Sequence, residues 1–171
     1  MKKLMGLMLL MTSSAMASNA TTSMHLVGFV PEIMEAKFVG NPPPLDMTPG
    51  NSTSSLLVGE LNLTYNVPLA SIKIKGSTAS GMLESADGKP GLESFSMTLG
   101  GDGDKCHVMS AARTITSADL TGEGTTIEAP SQGNAAGFDD HCSVRLGWKP
   151  LSENKNPGRY AMDVFFTIVS Q

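Results

Sequence analysis

The sequence lacks the features of a membrane protein or a nucleic-acid-binding protein. Its longest apolar run, residues 4–11, is far short of the ~20 residues that a membrane-spanning helix needs. Its 12 lysines and arginines stand against 16 acidic residues, which gives a formal net charge of −4, and they form no basic cluster. We therefore expect no membrane insertion and no binding to nucleic acid.

Common catalytic motifs are also absent from the sequence. It contains no G-x-S-x-G, no H-E-x-x-H and no P-loop. The three histidines, His25, His107 and His141, have no evident nucleophile beside them in the chain. A catalytic triad can be assembled from distant positions, so catalysis stays open as an alternative. We predict a protein that is not an enzyme and that has no cofactor.

The N-terminus has the organisation of a secretory signal peptide. Lys2 and Lys3 are basic, residues 4–11 are apolar, and residues 15–17 form a small-x-small cleavage site. We predict a signal peptide over residues 1–17 and a single exported domain over residues 18–171. Its location would be the periplasm, the cell surface or the medium. A retained membrane anchor is the alternative, and the short apolar run disfavours it.

Cysteine is scarce, and the two that are present are Cys106 and Cys142. An even number of cysteines in an exported chain indicates a disulfide. The bridge would stabilise the fold by roughly 4 kcal/mol in the chain-entropy description. A pair of free buried thiols is the alternative, and export makes it less favoured.

Apolar residues recur at every second position in several stretches, which is typical of strands with one buried face. Residues 159–171 are the longest such stretch, and residues 57–65 and 142–148 are the next clearest. No window shows a convincing helical period. The pattern predicts an all-β, antiparallel fold, either a sandwich or a barrel, and we favour a two-sheet sandwich. The residues expected in its core are Leu61, Leu63, Phe95, Val144, Leu146, Trp148, Val164 and Phe166.

Four shorter stretches lead to further predictions. Residues 41–51 contain four prolines, so they predict an extended connection across an end or edge of the sheet. Residues 33–39 predict a short strand or half a turn of helix, and residues 106–110 predict a short strand. Residues 117–138 contain few large apolar groups and predict a long surface excursion with a short strand near residues 125–128.

The apolar stretch over residues 24–30, MHLVGFV, is ambiguous because either alternation could face a core. We favour an ordinary first strand that pairs within its own chain, since most consecutive elements pack locally. The alternative is a donor strand that adds to a neighbouring molecule.

A short MKK-type signal precedes an apolar segment with Gly28, one disulfide follows, and the chain closes with a strand that begins Gly158-x-Tyr160. This order of features resembles the bacterial pilins or fimbrial subunits and the related spore-coat-U-like secreted domains. The resemblance implies an incomplete immunoglobulin-like sandwich whose groove is filled by a neighbour's N-terminal extension. The donor residues would be Met24, Leu26, Gly28 and Val30. The implied partners are other copies of the chain, related subunits or an assembly chaperone.

Acidic residues and histidines flank both cysteines, and a disulfide would draw the two groups together. Asp102, Asp104 and His107 surround Cys106, and Asp140 and His141 precede Cys142. Carboxylates could bind Ca²⁺, and the histidines could bind Zn²⁺ or Cu²⁺. The favoured alternative is that Asp-Gly pairs form turns and that both histidines face solvent, because the spacing of a calcium-binding loop is missing.

The function expected from these observations is that of an exported structural or adhesive surface subunit of the fimbrial type. The alternative is a non-enzymatic periplasmic or secreted binding module for a metal, a glycan or a protein. An assembling subunit should form polymers, whereas a binding module should remain a stable monomer.

Overall fold

The structure, a computed structural model, describes residues 24–100, 105–130, 138–153 and 157–171, and for Phe138 only the backbone. The chain divides into two compact units, Met1–Val30 and Pro31–Gln171. The signal peptide predicted over residues 1–17 lies outside the described residues. All the strands belong to the second unit.

The described residues form eight strands and contain no α-helix, only a short 3₁₀ turn at Ala118–Leu120. This confirms the predicted all-β class. In chain order the strands are β1 (Met34–Gly40), β2 (Thr53–Tyr65), β3 (Leu69–Gly76), β4 (Leu92–Leu99), β5 (Arg113–Thr116), β6 (Thr125–Glu128), β7 (Phe138–Pro150) and β8 (Val164–Ser170).

The strands form two antiparallel sheets. One has five strands in the order β1-β2-β7-β4-β5, and the other has three in the order β6-β3-β8. The centre of the larger sheet is the long ladder between β2 and β7, which places Leu61 opposite Cys142 and Leu63 opposite Asp140. Because residues alternate across a strand, this register sends both pairs to the inner face.

The core lies between the two sheets, and all eight residues that the alternation predicts either belong to it or pack against it. Leu61, Leu63, Phe95, Val144 and Trp148 are buried. The other three predicted residues pack against this core but are only half-buried, and two of them, Val164 and Phe166, lie on β8. The two-sheet arrangement is therefore confirmed, but the sandwich is not closed along β8.

The final strand is shorter than predicted, because it begins at Val164 instead of near residue 159. Its ladder with β3 ends where Val164 pairs with Gly76. Just before β8, Asp163 and Ser77 form two hydrogen bonds, each of 2.9 Å. The N–H of Ser77 donates to the carbonyl of Asp163, and the N–H of Asp163 donates to the hydroxyl of Ser77. Ala161 then pairs with Glu84 in an isolated bridge. The chain thus joins the ladder with β3 only at Val164.

Two other predicted strands are absent. Residues 106–110 form a turn, and residues 24–30 adopt neither strand nor helix. The register of the β1–β2 ladder explains why β1 does not extend to earlier residues. Met34, its first residue, is opposite Tyr65, the last residue of β2. The side chain of Asn66 then accepts from the N–H of Ile33 at 2.7 Å and donates to the carbonyl of Pro31 at 2.8 Å, which closes this end of the ladder.

The proline-rich segment follows β1 and contains no strand, as predicted. Leu45 and Met47 pack against the core from this segment. The indole N–H of Trp148 donates to the carbonyl oxygen of Asp46 at 2.9 Å. Hydrogen bonds from Thr48 and then Asn51 hold the pKa of the Asp46 carboxyl below its usual value. These contacts fix the segment at the edge of the space between the sheets.

Candidate functional site

An opening lies between the edges of the two sheets. β1 is the first strand of the larger sheet and β8 is the last strand of the smaller one, and these two edge strands make only a few contacts with each other. In the part of the chain that the structure describes, β8 pairs with β3 along one edge, and no strand pairs with its other edge. An edge of this kind presents backbone N–H and C=O groups to which a further strand can add.

The opening leads into an apolar groove of about 1150 Å³. This volume is slightly larger than the ~300–1,000 Å³ of usual small-molecule pockets. Its walls include the proline-rich residues 42–44 and residues 157–163. The apolar residues of the two sheets that line it are Phe38, Val58, Phe95, Met97, Val144, Leu146, Val164 and Phe166.

Charge is sparse in the groove. Among the described residues that line it, only Arg159 and Asp163 are charged, and both lie in the wall formed by residues 157–163. No histidine or cysteine lines the groove. The groove is therefore suited to binding apolar side chains.

A pair of glycines shapes the wall beside β1. Gly40 and Gly59 lie opposite each other in the β1–β2 ladder. A Cβ atom at Gly40 would lie 2.9 Å from the end of the Phe38 ring, and one at Gly59 would lie 2.7 Å from it. The absence of side chains at both positions thus allows the end of the Phe38 ring to approach the backbone of both strands at the groove.

The tyrosine of the Gly158-x-Tyr160 pattern lies at the groove. A Cβ atom on Gly91 would come within 2.7 Å of the Tyr160 ring, so this ring packs closely on a backbone that has no side chain. Gly158 also lines the groove, but a Cβ atom there would meet nothing within 4 Å. The pattern therefore contributes a half-buried aromatic ring to one wall, outside any strand.

The predicted donor residues belong to the other unit of the chain. Five large apolar side chains in residues 24–30 are each exposed by 77% or more: Met24, Leu26, Val27, Phe29 and Val30. A Cβ atom on Gly28 would meet nothing within 4 Å. Contiguous exposed apolar groups of this kind usually mark a surface that another molecule covers.

The predicted disulfide between Cys106 and Cys142 is confirmed, with the two Cα atoms 4.7 Å apart. Cys142 is fully buried, and Cys106 is nearly so. The bond connects the turn after Lys105 to the centre of β7.

The predicted metal ligands are only partly brought together. Asp102 and Asp104 lie outside the described residues. Nδ1 of His107 lies 2.8 Å from an oxygen of Asp140, whereas His141 lies on the opposite face of β7 beside Asn62. The described residues contain no group of three His, Cys, Asp or Glu side chains able to hold a metal ion. The metal site therefore stays a prediction.

Sequence reasoning did not recognise the structural role of Asp140. Its carboxylate is fully buried and accepts a hydrogen bond from the Tyr65 hydroxyl at 2.8 Å. Burial raises the pKa of Tyr65, and the hydrogen bond to Asp140 and its charge add to this effect. The alternation that places Cys142 inward also places Asp140 inward, so the signal was present in the sequence.

The described residues contain no helix that is long and apolar enough to cross a membrane. The chain matches no protein-family model, and no curated protein is similar to it in sequence.

Proposed function

We propose that this protein is an exported structural or adhesive subunit of a surface fibre, of the fimbrial type. Subunits join when residues 24–30 of one copy enter the groove of the next copy and pair with the free edge of β8. The observation that supports this most directly is the apolar groove beside an unpaired edge. The disulfide is consistent with export, because such bonds persist in oxidising compartments.

The lengths of the two segments agree. β8 has seven residues, as does the segment 24–30. A strand of this length spans roughly 23 Å at the usual rise per residue. In strand addition, backbone hydrogen bonds supply affinity and alternate side chains enter pockets. The added strand would complete the smaller sheet and cover the inner face of β8.

The alternation that enters the groove is Met24, Leu26, Gly28 and Val30. The opposite face of the segment carries His25 with Val27 and Phe29, so inserting that face would place an imidazole in an apolar groove. Burying a polar group without a partner costs free energy. The face that carries Met24 and Leu26 has no polar side chain and is therefore favoured.

Burial of the donor side chains alone does not offset the whole free-energy cost of association. Burial of Met24, Leu26 and Val30 would contribute about 5–9 kcal/mol in total, at about 1.5–3 kcal/mol for each side chain. Association costs roughly 4–15 kcal/mol in lost freedom. Stable assembly therefore also requires that the donor cover half-buried groove residues such as Val164 and Phe166 and form the backbone ladder with β8.

Two paired variants test the proposal in the protein without its signal. Leu26→Asp/Val30→Asp places charges on the face proposed to enter the groove, and Val27→Asp/Phe29→Asp places them on the opposite face. All four side chains are exposed, so neither variant should disturb the fold of the monomer. Light scattering of the wild type should show polymers that the first variant abolishes and the second retains.

Each result has a clear meaning. Equal assembly by both variants would contradict insertion of this segment. A wild-type protein that remains a stable monomer at high concentration would contradict the proposed subunit function and favour the alternative, a binding module.

A further inference from the structure

The buried carboxylate of Asp140 connects three parts of the chain. One oxygen, Oδ1, accepts from the backbone N–H of His107 at 2.9 Å and lies 2.8 Å from Nδ1 of the same residue. The other oxygen, Oδ2, accepts from the hydroxyl of Tyr65 at 2.8 Å and from the backbone N–H of Val108 at 3.1 Å. Asp140 thus links β2 and β7 to the turn that contains Cys106.

These contacts lie on both sides of the disulfide. His107 and Val108 follow Cys106 directly, and Asp140 precedes Cys142 by two residues on the same face of β7. On the other side of Cys106, the carbonyl of Lys105 accepts from the N–H of His141 at 2.9 Å. The side chain of Val108 is fully buried, which adds an apolar anchor. None of these contacts involves a sulfur atom, so the groups that form them are also present in the reduced chain.

We propose that Asp140 is a positioning residue for disulfide formation: it docks the turn of Cys106 on β7 while both cysteines are still thiols. With oxidised glutathione as the oxidant, one cysteine thiolate attacks the glutathione disulfide and releases one reduced glutathione. The second cysteine thiolate then attacks the mixed disulfide and releases another. The second step is intramolecular, so its equilibrium depends on how well the fold holds the two cysteines together.

The geometry explains why a carboxylate is required at this position. Each oxygen of Asp140 accepts a backbone N–H, that of His107 or that of Val108. An asparagine has only one acceptor oxygen, so in either orientation its NH₂ group would face one of these N–H groups. Asp140→Asn therefore leaves at least one backbone donor without its acceptor and loosens the turn.

The first experiment measures the equilibrium between the full-length protein and glutathione, from which the effective concentration of the two thiols follows. Asp140→Asn should lower this concentration about tenfold or more, as expected when a buried N–H loses its acceptor. Tyr65→Phe keeps both backbone hydrogen bonds and should have a smaller effect. Ile127→Ala, on β6 in the other sheet, is the control for general destabilisation. It should change the effective concentration of the two thiols little, provided that both redox forms stay folded.

The second experiment measures amide hydrogen exchange in the reduced wild-type protein, so it does not depend on the variant folding. The amides of His107 and Val108 should remain protected without the disulfide. Amides that exchange as fast as exposed ones, or a reduced wild-type chain that is unfolded, would overturn the proposal. An effective concentration that is unchanged in Asp140→Asn, or that falls equally in Ile127→Ala, would also overturn it.

Discussion

Because the groove is open, we expect an unusual result when two neighbouring residues of the β3–β8 ladder are truncated: the larger side chain should contribute less to the stability of the monomer. Ile74 on β3 pairs with Phe166 on β8, and both point towards the core. Ile74 is fully buried, whereas Phe166 is half-buried and lines the groove. Truncating Phe166, the larger of the two side chains, should therefore lower the free energy of unfolding of the monomer by less than truncating Ile74.

The magnitudes follow from burial. Truncating a fully buried isoleucine to alanine costs about 2–5 kcal/mol, and truncating a fully buried phenylalanine costs about 3–5 kcal/mol. We expect Ile74→Ala to cost about 3–4 kcal/mol, because its site is completely enclosed. Phe166→Ala should cost only about 1.5–2.5 kcal/mol, because its ring is only partly buried and its truncation at the open groove leaves no enclosed cavity.

The measurement is urea denaturation of both variants in the Leu26→Asp/Val30→Asp background, which keeps the protein monomeric under the proposed function. In the background that assembles, Phe166→Ala should also weaken polymers, while Ile74→Ala should act on the monomer alone. If Phe166→Ala destabilises the monomer as much as or more than Ile74→Ala, the groove is covered in the monomer. The argument for an open acceptor site would then fail.

Two further predictions concern buried polar groups. Burial raises the pKa of Tyr65, so its neutral form is favoured in the fold; the free energy of unfolding should be unaffected below about pH 10, the ordinary pKa, and fall as the pH rises above it. Urea denaturation from about pH 8 to about pH 11 should show a smaller fall in Tyr65→Phe than in the wild type, and equal slopes would contradict the assignment. Trp148→Phe removes the indole N–H that donates to Asp46, so the free energy of unfolding should fall by about 1 kcal/mol. Faster amide exchange in the proline-rich segment of that variant, seen by mass spectrometry, would confirm that the bond fixes this wall of the groove, and unchanged exchange would show that it does not.

The alternation of apolar residues was sufficient to predict the fold class and most of the core. Leu61 and Leu63 on β2 and Val144 and Trp148 on β7 are buried as expected, because the side-chain period of a strand is a local property of the backbone. The strand at Thr125–Glu128 is also where the pattern placed it. The disulfide was predictable because only two cysteines are present, so only one pairing within the chain was possible.

The ends of strands were not predictable in the same way, because tertiary contacts decide them. Residues 106–110 alternate like a strand, but the Asp140 carboxylate takes the N–H groups of His107 and Val108. Residues 160–163 continue the alternation of β8 but precede its ladder, because the N–H of Asp163 donates to the hydroxyl of Ser77 and not to a backbone carbonyl. In both places a contact from a distant part of the sequence competes with the ladder and replaces it.

The sequence by itself determined which side chains point inward, and only the tertiary structure decided whether anything covers them. Val164, Phe166 and Ile168 have the same spacing as a closed core would require, yet each is only half-buried. The reason is that alternation depends on the strand alone, whereas burial depends on the neighbouring element. The groove exists because β1 and β8 make only a few contacts with each other and no strand among the described residues pairs with the second edge of β8.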